Sequence, residues 1–276
     1  MPATASHIAA PLSGISGRRR AEYEQPLNER MRTFMRLEFL YRQMLYNVEP
    51  EADWATRAAT GSLLEIIAIL GRGDVRSDVH KELDYQIDSL KRYKSQPEVD
   101  ARRLDAVIRN LLSIRTDVDA AGTQYLQPLK DNEFLSSIKH RSSIPGGTCE
   151  FDLPDFYHWL NLGPDTRESD LAAWLATIRP LCESVSELLW ITRENARPTE
   201  EIAAGGNFQI VFERDRPVQL LRITLPGAAR DMSADLASVD EDETVGLVMQ
   251  MNLPEENLIY FLEKHSPVLK NWQREI

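Results

Sequence analysis

The residue types that carry most enzyme chemistry are present in this chain, but nowhere at a working spacing. The five histidines, His7, His80, His140, His158 and His265, are scattered and never fall into an HExxH pattern. Cys149 and Cys182 form no Cys-x-x-Cys pair, and two cysteines are too few for a disulfide framework. No glycine loop ends in Lys-Ser or Lys-Thr, and no Gly-x-Gly-x-x-Gly opens a helix, so a nucleotide phosphate has no cradle of either common kind. Gly146-Gly147 and Gly205-Gly206 read as turn glycines. A Gly-x-Ser-x-Gly elbow is also absent. Asp152 with Asp155 has the makings of an acid/base pair, yet capping a helix that starts at Pro154 explains both more simply. An enzyme of unrecognised type remains an alternative, and no metal or cofactor is expected.

What remains is basic surface. Arg30, Arg32 and Arg36 cluster in one stretch, Arg72 and Arg76 flank a turn, and Lys139, His140 and Arg141 precede a Pro-Gly-Gly turn. Guanidinium and ammonium groups so placed can receive carboxylates through charge-assisted hydrogen bonds. The competing reading pairs them within the chain, with Glu29, Glu38 and Asp74.

The elements that must hold these groups are mostly helices. Asn28 is a suitable N-cap, and Met31, Phe34, Leu37, Tyr41, Met44 and Val48 recur at steps of three and four, one apolar helical face. Glu38 can reach Arg42 one turn on. A second helix is expected from Asp53 to Gly71, with an end apolar on all sides and therefore buried. Further helices are expected over about 76–95, after the cap Asp100, over 133–140, from Pro154, and over 166–195 with Pro180 kinking or dividing it. Cys149 to Leu153 reads as a short extended piece. After Pro198 the period changes to two: Phe208, Ile210 and Phe212 alternate, as do Leu221, Ile223 and Leu225, then Val245, Leu247, Met249 and Met251. Residues 214–217 suit a hairpin loop and 227–243 a long exposed loop, while 254–276 is ambiguous between helix and strand. The expected fold class is α+β, a mainly helical N-terminal domain packed with a smaller antiparallel β-strand domain. The expected divisions are a disordered tail over 1–24, the helical domain over 25–198 and the strand domain over 199–276.

Composition closes off other classes. Hydrophobic residues at 42% and charged residues at 27% describe an ordinary globular chain. The net charge of -11 opposes nonspecific attraction to nucleic acid or anionic membranes. Most of that excess lies beyond Arg197, helped by Asp240 to Glu243. No apolar run approaches membrane-spanning length, and no apolar leader precedes Arg18-Arg19-Arg20, so a reducing cytoplasm is the expected compartment.

Three stretches resemble a known family. Pro26-Leu27-Asn28-Glu29-Arg30-Met31-Arg32-Thr33-Phe34-Met35-Arg36-Leu37-Glu38-Phe39-Leu40 resembles the opening of the ZapD family of bacterial cell-division proteins. Arg72 to Arg76 with Lys81-Glu82-Leu83-Asp84 is similar to its second block. Ser143-Ile144-Pro145-Gly146-Gly147, Cys149, Phe151 to Pro154 and Trp159-Leu160 are similar to its third. The resemblance covers roughly 25–225 and implies a non-enzymatic homodimer that binds the tubulin-like protein FtsZ. It further implies bundling of FtsZ protofilaments into the ring at mid-cell, by way of the FtsZ carboxy-terminal tail. On that basis Arg32, Arg36, Arg76, Lys139, Arg141 and Arg222 are the expected tail contacts, around an apolar groove including Tyr157 or Trp159. An adaptor for some other acidic partner is the alternative. The C-terminal quarter departs from the family pattern, being acidic at Asp240 to Glu243 and longer at its end.

Overall fold

A computed structural model describes residues 21–48, 52–94, 100–194, 198–204, 207–211, 218–225, 231–238, 245–252 and 257–265. The described chain is mainly helical, with strands that pair antiparallel. Its helices are α1 (Glu29–Val48), α2 (Asp53–Arg72), α3 (Val75–Tyr93), α4 (Ala101–Ala121), α5 (Gln127–Lys130), α6 (Glu133–Ser142), α7 (Pro154–Leu160) and α8 (Pro164–Glu194). The strands are β1 (Ala21–Pro26), β2 (Pro198–Ala204), β3 (Asn207–Val211), β4 (Leu220–Leu225), β5 (Asp231–Ser238), β6 (Val245–Asn252) and β7 (Asn257–His265). They follow the order β1-β4-β7-β2-β3-β6-β5.

The helices begin where capping chemistry places them. The Met31 amide donates to Asn28 Oδ1 at 2.8 Å, and Asp100 accepts from the amides of Arg102 and Arg103. Each side chain thereby satisfies an N-terminal amide that has no partner inside its helix. The apolar face read from the sequence is the buried face of α1: Met31, Phe34, Leu37, Tyr41 and Met44 are buried against α2 and α8. In α2, Leu63, Leu64, Ile66, Ile67 and Leu70 are all buried, while Glu65 between them stays exposed. The organising element is α8, which touches α1, α2, α3 and α4 along its 31 residues.

Pro180 neither divides nor ends α8. The ring removes one backbone donor, but Leu181 and Ile178 on either side are buried in the core, and packing of that face outweighs the lost bond.

One compact unit is built mainly from Glu24–Pro198, and a second gathers Thr199–Val211 and Arg222–Leu262. Within the second, β6 is paired on both sides. Asn207 lies opposite Gln250 and Val211 opposite Gly246 on one edge; Asp231 lies opposite Asn252 and Ser238 opposite Val245 on the other.

Three local expectations change. The expected loop over 227–243 contains strand β5, whose Met232, Ala234 and Leu236 alternate with polar residues, a period-two signal hidden by the surrounding acids. Cys149 to Leu153 is a succession of turns rather than an extended piece, with Cys149 N–H bonded to the Gly146 carbonyl and Leu153 N–H to that of Cys149. The ambiguous end is a strand over Asn257–His265. Of the expected tail, residues 1–20 lie outside the described residues, and Ala21 to Glu24 belong to β1. The hairpin loop 214–217 and the acidic run 240–243 also lie outside them.

Candidate partner-binding surface

Five of the six expected contact residues can be compared by how far the fold already engages their charge. Arg76, at the start of α3, donates from Nε and a terminal nitrogen to the Val118 carbonyl at 3.3 Å and lies 3.6 Å from Asp119. It thus satisfies a carbonyl in the last turn of α4 that has no helical partner there. His80 reaches the same carboxylate at 3.0 Å. Arg30 is similarly committed: it bonds Glu82, which is buried in α3, at 2.7 Å, and Gln86 bonds the other oxygen.

The remaining four are engaged less. Arg36 is exposed on α1, one turn from Arg32, which pairs with Glu29. Lys139 is exposed in the last turn of α6. Arg141, two residues on, is half exposed and lies 3.8 Å from Asp152. That pairing, not a cap, accounts for Asp152: the N-cap of α7 is Leu153, and no side chain caps it. Arg222 stands outside this comparison: it sits on β4, partly buried, and is engaged by the fold. The structure therefore brings Arg32 and Arg36 to one side of α1, whereas Lys139 and Arg141, two residues apart on α6, face different sides of that helix.

Beside Arg141 the turn Ser143-Ile144-Pro145-Gly146-Gly147 is fixed by its glycines. Gly146 has φ +74°, where a side chain is strained, and a Cβ on Gly147 would collide with the Arg141 carbonyl. Arg57 of α2 secures the far side, donating to the Thr148 carbonyl at 2.9 Å with its guanidinium over Trp54 and Phe156. Phe134, Phe156, Trp159 and Trp174 form one aromatic cluster, and Trp159 donates to Asp170 at 2.8 Å. Trp159 is therefore core and unavailable to a partner, whereas Tyr157 is 42% exposed. Around the same turn Trp54 and Phe151 are strongly exposed, and Ile144 is half exposed.

Sequence reading missed the group that binds this unit together. Arg193 of α8 is held by Glu24 of β1 and Glu38 of α1 through four hydrogen bonds of 2.7 to 2.9 Å. Burial alone would lower the Arg193 pKa; hydrogen bonds and charge from Glu38 and Glu24 reverse that and raise it. Glu38 also meets Arg42 at 3.2 Å, the pair that local spacing suggests. The stronger partner is 155 residues away and has no local signal.

Burial, then the charge of Glu183, pushes the Cys182 thiol far up, which keeps it protonated and unreactive. A small pocket lined by Arg76, Val118, Tyr125 and Leu181 has room for about one water molecule. Among the described residues no cluster of His, Cys, Asp or Glu could hold a metal ion, and no helix is long and apolar enough to cross a membrane.

The described residues form a mainly helical protein that presents Arg36 and Lys139 to solvent, where they can receive carboxylates. Comparison with known proteins specifies which kind. The family profile described as "ZapD: Cell division protein" matches residues 35–234. The chain is 35% identical over 216 residues to the cell division protein ZapD of Janthinobacterium sp. (strain Marseille), covering 77% of this chain and 86% of that one. It is 36% identical over 207 residues to ZapD of Ralstonia nicotianae, covering 75% and 82%, and 35% identical over 204 residues to ZapD of Methylococcus capsulatus, covering 74% and 80%. The chain belongs to the ZapD family of cell division proteins, which are not enzymes.

Proposed function

We propose that this protein binds FtsZ and cross-links its protofilaments into bundles, promoting assembly of the ring at mid-cell. Membership of the ZapD family carries the reading. The exposed charges of Arg36 and Lys139 supply its physical means, since an acidic tail needs cations that the fold has left open. The six expected contacts enter the proposal in order of availability. Arg36 and Lys139 come first, Arg32 and Arg141 share their charge with Glu29 and Asp152, and Arg76 contributes least because α4 already uses it. Arg222, on β4, is the sixth proposed contact. The active form is a homodimer: two tail sites on one body bridge two filaments, and the second contact gains from the high local concentration set by the first. Fluorescence anisotropy with a synthetic peptide of the FtsZ carboxy-terminal tail tests the contacts. Arg36→Glu should weaken binding about fivefold; unchanged affinity across all six charge reversals would sink the assignment.

A further inference from the structure

Two arginines draw the start of α2, the turns before α7 and the first turn of α8 to one place. Arg57 of α2 donates to the Thr148 carbonyl at 2.9 Å, with its guanidinium 5.5 Å from the Trp54 ring and 5.1 Å from the Phe156 ring. Arg167 of α8 bonds Asp53, the first residue of α2, at 2.8 Å. Trp54 is 81% exposed there, and Phe151, three residues past Thr148, is 85% exposed. The free charge around them is of one sign. Glu150 and Asp155 lie within two residues of groups that Arg57 touches, and Asp165 and Glu168 lie within two residues of Arg167. All four are exposed, and none meets a cation at ion-pairing distance among the described residues. The neighbouring cations are already engaged: Arg57 by the Thr148 carbonyl, Arg167 by Asp53, and Arg141 by Asp152.

We propose that the Trp54–Phe151 face docks a short basic, amphipathic segment of another protein. Lysines or arginines of that segment meet the four carboxylates, and its apolar side chains cover the two rings. The proposal goes beyond the FtsZ-tail reading, because this face selects the opposite charge from the surface at Arg36 and Lys139. Two observations choose the occupant. The first is charge complementarity: carboxylates that the fold has left without cations repel an acidic peptide and attract a basic one. The second is area. At about 150–250 Å² per aromatic side chain, the two rings leave on the order of 300–400 Å² uncovered. A stable interface between two folded partners takes about 800 Å² from each, so a single helix or extended segment fits this face and a second copy of the chain does not. The rings are also held ready. Arg57 braces both Trp54 and the turn leading to Phe151, so docking has little left to order on this side.

The test is fluorescence anisotropy of a labelled leucine–lysine amphipathic peptide on the full chain, at about 0.05 M and about 0.3 M salt. Its leucine–glutamate counterpart is the control. Wild type should bind the lysine peptide and ignore the glutamate one. Trp54→Ser with Phe151→Ser should weaken binding about tenfold at both salt concentrations. Glu150→Lys with Asp155→Lys should weaken it about tenfold at low salt and much less at high salt. Phe151→Ser alone covers the case in which loss of Trp54 loosens Arg57: it should keep the wild-type unfolding midpoint and still weaken binding about threefold. No binding by wild type would sink the proposal. Equal affinity in wild type and all three variants would do the same, since the net charge of -11 would then account for the attraction by itself. If Phe151→Ser weakens FtsZ-tail binding as much as lysine-peptide binding, the face belongs to the tail surface and the proposal is overturned. A changed mass in solution for Phe151→Ser would make the face an interface between copies, with the same consequence.

Discussion

Arg36 on the outer side of α1 and Arg193 near the end of α8 are the same residue type put to opposite uses. Arg193 is largely buried and gripped by two carboxylates, one from β1 and one from α1. Arg36 stands in solvent one turn from another arginine. The contrast teaches that a basic residue's role is decided by the carboxylates that the fold brings to it, not by its local sequence. Arg76 is the intermediate case: it is partly exposed, yet aimed at a backbone carbonyl of α4.

The comparison breaks if the two kinds of arginine respond alike. Arg193→Ala leaves Glu24 and Glu38 without their shared cation and should cost about 3–5 kcal/mol of stability by urea unfolding. Peptide affinity of the remaining folded protein should not change. Gly147→Ala forces a Cβ against the Arg141 carbonyl and should cost about 1–3 kcal/mol, because the turn beside the basic end of α6 must shift. Arg76→Ala removes the two long bonds to Val118 and should cost about 1 kcal/mol, with tail affinity almost intact. Arg36→Glu should show the reverse profile: an unchanged unfolding midpoint and binding weaker by about fivefold, ~1 kcal/mol. A midpoint shift in Arg36→Glu larger than in Arg76→Ala would erase the distinction.

Much of the helical frame is legible in the sequence because its signals are local. Asn28 and Asp100 mark their helices by capping chemistry, and the α1 and α2 cores repeat at helical period. Strand β5 was harder to see, since its apolar positions are Met, Ala and Leu embedded among Asp and Ser. The third family block reads correctly as a turn at Gly146, but Cys149 to Leu153 has no period that distinguishes consecutive turns from a strand. Trp159 and Tyr157 looked equally able to line a groove. Burial of Trp159 depends on Phe134 and Trp174, which come from other helices. The Glu24–Arg193–Glu38 clamp was invisible for the same reason.

The central claim is that this chain bundles FtsZ through cations that its own fold leaves open. Co-sedimentation with FtsZ and GTP at low centrifugal force, where only bundles pellet, tests it directly. Wild type should carry FtsZ into the pellet, and Arg36→Glu with Lys139→Glu should leave both proteins in the supernatant while remaining folded. FtsZ left in the supernatant by the wild-type protein, or pelleted equally by the double reversal, would contradict the account.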